Sequence, residues 1–98
     1  MIKEETARQL VSRALKTIAD FDGEIDKYST AHLHELQIDA FLTALSKFVA
    51  EEPVVDNDGN TRPDLKYRVS LSRVLFNKWT TFGDCIIHLV KKSSISRV

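Results

Sequence analysis

Thr61-Arg62-Pro63-Asp64-Leu65-Lys66-Tyr67-Arg68-Val69-Ser70-Leu71-Ser72 is the stretch on which the fold class turns. Thr61 to Asp64 reads as a capping box with proline in a first helical turn. Lys66, Ser70, Arg73 and Asn77 would then line one polar helical face. Against this, Leu65 to Ser72 alternates apolar and polar residues without exception, which is strand spacing. The two readings nearly balance. The helical one is preferred, and it makes the chain all-α, a small helical bundle of three to four helices. The alternative is α+β, with a hairpin in residues 65–90.

Working outward, the flanks are clearer. Upstream, Asp56-Asn57-Asp58-Gly59-Asn60 is a turn signal. A helix is expected from about Asp39 to Glu52, with Phe41, Ala44, Leu45, Phe48 and Val49 as its apolar stripe. Pro53 ends it, and Asp39 suits an N-cap or first-turn acid. Residues 22–35 read as a connecting loop. Before them, Ala7, Leu10, Val11, Ala14, Leu15 and Ile18 recur at helical spacing, so a first helix should run from Glu4 to about Asp20. Gly23 would supply its left-handed cap. Downstream, Thr81-Phe82-Gly83-Asp84 opens a last helix in which Lys91 and Lys92 face the negative end of the dipole. Residues 53–78 read as an insertion and residues 93–98 as a frayed tail.

Composition narrows the class. Ninety-eight residues suit one domain, 1–98. Hydrophobic residues at 43% with 29% charged describe a globule, not a disordered chain. No apolar run approaches the roughly 20 residues of a bilayer span. The start of the chain has no apolar leader segment, so a reducing cytoplasm is the expected location. Cys85 has no second cysteine to pair with, and it sits in an apolar run as a small core residue.

Charge is balanced overall, with 14 basic and 14 acidic residues. It is uneven along the chain: residues 62–98 hold Arg62, Lys66, Arg68, Arg73, Lys78, Lys91, Lys92 and Arg97 against only Asp64 and Asp84. These bases do not fall on one predicted stripe, so they read as a solvated face, and nucleic acid is not an expected partner.

Candidate chemistry is sparse. Asp20 to Asp26 resembles the middle of a calcium loop. With Gly23 at the sharp turn, however, Ile18 and Ser29 occupy the first and twelfth ligand positions and the bidentate glutamate is missing. His32 and His34 have no fixed spacing to His88 or Cys85, so no metal site is expected. No nucleophile elbow, phosphate loop or dinucleotide fingerprint occurs, and no catalytic residues are assigned.

In order, these elements resemble the acyl carrier protein family at residues 6–50 and 79–92. That family opens its second helix with a hydrophobic-x-x-acidic-Leu-Gly-x-Asp-Ser-Leu motif. Leu33-His34-Glu35-Leu36-Gln37-Ile38-Asp39-Ala40-Phe41 occupies the same place here. Thr81-Phe82-Gly83-Asp84 is similar to the start of the family's last helix. The resemblance implies a non-catalytic carrier-like protein acting through protein contacts, with an acyl-handling enzyme as the implied partner. Asp39, Phe41 and Lys47, on the second helix, would be the partner-binding residues.

Two departures matter. Ala40 stands where the family's serine is esterified by phosphopantetheine, and with no hydroxyl it cannot form that ester, so no cofactor is expected. Either the fold has lost its prosthetic group or Ala40 replaces a serine. Gln37 also stands in place of the usual glycine. Phe41, Leu45 and Phe48 should meet Leu10, Ala14 and Ile18 in the core. A core this small leaves a thin margin, so pairing with a second copy through Trp79 or Phe76 is a further expectation. The rival function is a small regulatory or inhibitory interaction module unrelated to carriers.

Overall fold

The computed structural model describes residues 2–19, 21 and 23–98. Among the described residues the chain is mostly helical, with a small two-stranded sheet. Helix α1 spans Glu4–Ile18, α2 Glu35–Glu51, α3 the single turn Arg73–Phe76, and α4 Phe82–Lys92. Strand β1 is Leu65–Arg68 and β2 is Ser94–Arg97.

Helix α1 follows its sequence spacing. Ala7, Leu10, Val11, Ala14 and Leu15 are buried along one side, which packs against both α2 and α4. Glu4 and Glu5 occupy its first turn, where the dipole favours acids. The helix ends earlier than expected, with Ala19 already extended. Gly23 does take a positive φ of 125°, but as a loop residue and not as the cap. Asp20 and Asp22, named in the calcium-like segment, lie outside the described residues.

Helix α2 starts four residues before the expected Asp39. His34 is its N-cap, accepting from the Gln37 N–H at Nδ1 over 3.4 Å, while Gln37 Oε1 accepts from the His34 N–H at 3.2 Å. This reciprocal arrangement uses types absent from the usual Ser/Thr-x-x-Glu pattern, which is why the sequence pointed further along. Asp39 is therefore in the second turn, not the first.

The deciding stretch divides between its two readings. Its first four alternating residues form β1, and the helix begins only at Arg73, after Ser72 caps it by accepting from the Leu75 N–H. No helix follows the Thr61–Asp64 box. Arg62 instead clasps Asp64 through two hydrogen bonds of 3.1 and 2.9 Å. The strand has no hairpin partner within residues 65–90. It pairs antiparallel with β2, Leu65 facing Arg97, Lys66 facing Ser96, Tyr67 facing Ile95 and Arg68 facing Ser94. The purely helical expectation and the frayed-tail reading of residues 93–98 are both corrected by this ladder.

Residues 53–78, mostly exposed, send a few side chains inward. Val54 and Phe76 are buried, Val55 bridges Thr61 across the Asp56–Asn60 turn, and Tyr67 packs on the core cluster. Phe41 and Leu45 share the buried core with Leu10 and Ala14, as expected, whereas Phe48 and Ile18, expected with them, lie only at its margin, and Val49 is buried in addition. An aromatic group closes the centre. Phe41 lies 5.1 Å from Phe82 and 6.1 Å from Phe76, both nearly edge-on, and Phe76 lies 5.6 Å from Trp79. Such pairs contribute about 0.5–1.5 kcal/mol each beyond area burial.

The loop between α1 and α2 is stitched to the start of α4. Phe82 N–H donates to the Tyr28 carbonyl at 2.9 Å and Thr30 N–H to the Thr80 carbonyl at 3.1 Å. The buried Thr30 hydroxyl donates to the Trp79 carbonyl at 2.9 Å. Asp84 accepts from the Thr80 and Thr81 N–H groups, so the predicted acid of the last helix start is in use.

Candidate interaction surface

The outer side of α2 carries Leu36, Ala40, Thr43 and Lys47, spaced i, i+4, i+7 and i+11, and all four are exposed. The inner side is anchored by Ile38, Phe41, Leu42, Leu45 and Val49. This division settles the three expected contact residues separately. Asp39 and Lys47 are exposed, whereas Phe41 has no accessible surface. Phe41 is a core residue that holds the helix in place, since its ring is enclosed by Phe76 and Phe82. The same correction applies to pairing through Trp79 or Phe76. At 8% and 3% exposure they offer a second copy almost nothing.

Ala40 is exposed, but it is the sixth residue of α2, more than a turn past the His34 cap. The family motif that it matches sits at a helix start, so the alignment of motif and helix is displaced here by the early cap.

Helix α3 adjoins this face through Arg73. Its Nη2 lies 3.8 Å from Glu35 Oε1 and its Nε 3.6 Å from Asp39 Oδ1. All three side chains are well exposed, so solvent screens the pairs, and surface pairs of this kind contribute about 0–1 kcal/mol. The bridge therefore does little for stability. Next in sequence to its members stand two exposed apolar side chains: Leu36, which follows Glu35, is 78% exposed, and Val74, which follows Arg73, is 69% exposed. Isolated exposed apolar residues are ordinary. Here the two stand on α2 and α3, helices whose charged side chains approach one another through Arg73.

The remaining candidates for chemistry are placed elsewhere. Cys85 is fully buried, and burial pushes its thiol up, which makes the thiolate inaccessible as a nucleophile. His32 stacks on Tyr28 at 4.5 Å, His34 caps α2, and His88 Nε2 lies 3.1 Å from the Ser70 carbonyl. Among the described residues, no three His, Cys, Asp or Glu side chains gather as a metal site would require. The Asp56–Asn60 turn is held by the Asp56 carboxylate, which accepts from the Asp58 and Asn60 N–H groups. No helix among the described residues is long and apolar enough to cross a membrane.

Sequence signal for this surface was partial. The spacing of Leu36, Ala40 and Lys47 was readable, but Val74 and Arg73 join it only because α3 folds back against the start of α2. No protein-family model, no curated protein and no solved structure matches the chain, so no relative ties it to the acyl carrier family.

Proposed function

We propose that this chain is a non-catalytic interaction module whose partner is a protein docking on the outer face of α2 and the adjoining α3. The observation that carries the reading is the exposure of Leu36 on α2 and Val74 on α3, two helices joined at the surface by the Arg73 bridge. An apolar centre with a charged rim is how protein interfaces are built, and the energy of such contacts concentrates in a few central side chains. The burial of Cys85 and the use of His34 as a cap support the non-catalytic part.

The test is a photo-cross-linking side chain at position 40 in cells producing the protein. Discrete adducts are expected at position 40 and not at position 58, in the turn beyond α2. Leu36→Asp combined with Val74→Asp should abolish them without lowering the melting temperature. Adducts that survive the double substitution would refute the docking face.

The carrier-like version of this reading is favoured by one observation, the exposure of Ala40 directly after Asp39. Ala40→Ser would then be a substrate for a phosphopantetheinyl transferase with coenzyme A, and its mass would rise by one phosphopantetheine group. No gain in mass would leave the interaction module standing and remove the carrier relationship.

A further inference from the structure

The β1–β2 ladder does more than close the fold. In an antiparallel pair, residues directly opposite each other share a face. Leu65, Tyr67, Ile95 and Arg97 therefore lie on one side, where Tyr67 packs on the core and joins Ile95 in lining the cleft that holds Ile2 and Pro53. The opposite side consists of Lys66, Arg68, Ser94 and Ser96. Arg68 and Ser94 are exposed there and Lys66 is half-buried, all three able to donate hydrogen bonds, whereas the Ser96 hydroxyl is buried and presents nothing to solvent. Arg68 and Ser94 also line a concavity of about 400 Å³ with Ser70 and with Lys92 from the end of α4.

Among the described residues, Lys66, Arg68, Lys91, Lys92 and Arg97 form no ion pair, since those present involve Arg8, Lys27, Arg62 and Arg73. The two acids of this part of the chain are committed: Asp64 to Arg62, and Asp84 to the amides at the start of α4. Lys91 and Lys92 offset the negative end of α4. The strand cations Lys66 and Arg68 have no such role. In a chain that is neutral overall, residues 62–98 carry eight basic side chains and two acidic ones.

We propose that this ribbon is a docking surface for duplex DNA. A two-stranded antiparallel ribbon fits the B-form major groove, about 12 Å wide, whereas the A-form groove of double-stranded RNA is too narrow. Lys66 and Arg68 project two residues apart, about 6.6 Å, on its outward face. Lys92 and Ser94 line the same concavity as Arg68 and would add a cation and a hydroxyl donor for phosphates. The bases missing from any one stripe of the sequence are brought together by pairing residues 65–68 with 94–97. The inference is independent of the α2 face and uses none of its residues.

Fluorescence anisotropy with a short labelled DNA duplex tests it on the whole chain. Three phosphate contacts predict a log–log salt slope of about −2.7, or about a 40-fold loss of affinity between about 50 and 200 mM salt. Arg68→Gln with Lys92→Gln should reduce that slope by about 1.8 while circular dichroism stays unchanged. Lys16→Gln, on the last turn of α1, should leave binding as it was. The assignment is overturned by an absence of binding at low salt, by an equal loss with Lys16→Gln, or by polyglutamate competing as an acceptor of the same strength. That last result would make this a surface for an acidic protein.

Discussion

Replacing Gly83 with alanine sets two known effects against each other. Gly83 lies in the first turn of α4, where alanine is the better helix former by about 0.5–1 kcal/mol. A Cβ there would stand 2.9 Å from the Asp26 carbonyl oxygen and 3.3 Å from Thr81 Oγ1. The first distance is closer than a carbon and an oxygen can sit, and the neighbour is backbone, which cannot swing aside as a side-chain tip would. Forcing an extra methyl into a packed junction costs typically about 1–3 kcal/mol. The steric term is therefore the larger, and a net loss of about 1–2 kcal/mol follows. For a domain of this size that lowers the melting temperature by about 4–16 °C. The strain falls on the seam where Phe82 and Thr30 hydrogen-bond across to Tyr28 and Thr80, so those two amides should show the largest fall in hydrogen-exchange protection. A Gly83→Ala protein as stable as the parent, with both amides still protected, would mean that the loop yields freely and that this close approach does not hold α4.

Other substitutions probe separate parts of the molecule. Thr30→Val leaves the buried Trp79 carbonyl without its 2.9 Å donor and should cost about 1–3 kcal/mol, read from urea unfolding monitored by Trp79 fluorescence. Phe41→Ala should cost about 3–5 kcal/mol, as expected of a core ring and not of a surface contact; a loss under 1 kcal/mol would contradict its burial. Cys85 should resist alkylation in the folded protein up to mildly alkaline pH and react at once in denaturant, because its buried thiol is held up out of the thiolate range. The Arg62 hydrogen bonds hold the Asp64 carboxyl below its ordinary 3.8. Its charged form is thus the favoured one, and any stability it adds is present above pH 3.8 and lost as pH falls through the lower folded value. Arg62→Gln should move the Asp64 carboxyl resonance back up toward 3.8, and an unchanged titration would show that the pair is not formed in solution.

Legibility varied with the range of the interaction that decides each element. The stripe of α1, the inner face of α2 and the start of α4 are set by neighbours three or four residues away, and the sequence displays them directly. The start of α2 misled because histidine is an uncommon cap. Thr61–Asp64 misled for the opposite reason: it has the composition of a helix start, yet Arg62 is bonded to Asp64 and β1 begins at the next residue. Within Leu65–Ser72 both periodicities were present, and local propensity could not choose between them. The choice is made by β2, which begins 26 residues after β1 ends and carries no strand signal beyond Ile95. A pairing decided at that distance is invisible to any window along the chain.

The same distance explains why the surfaces were harder to foresee than the core. Lys47 and Asp39 could be placed outward from the helical period alone, and the same period, followed strictly, puts Phe41 inward with Leu45 and Ile38. The motif resemblance pulled Phe41 the other way, and burial decided against it. Arg73 and Val74 reach the α2 face only through the fold, as Lys92 reaches Arg68 only through the ladder. Neutral composition concealed this, because a balance of 14 and 14 says nothing about separation in space. Once β2 is closed onto β1, Arg68 and Lys92 line one concavity with Ser94. Removing the β2 segment would break that grouping, with β1 left to its packing on α2. Truncation after Ser93 should therefore abolish the salt-dependent binding of the ribbon while leaving cross-linking at position 40 intact, provided the helical core still melts cooperatively. Loss of both together would show that the two faces are one surface.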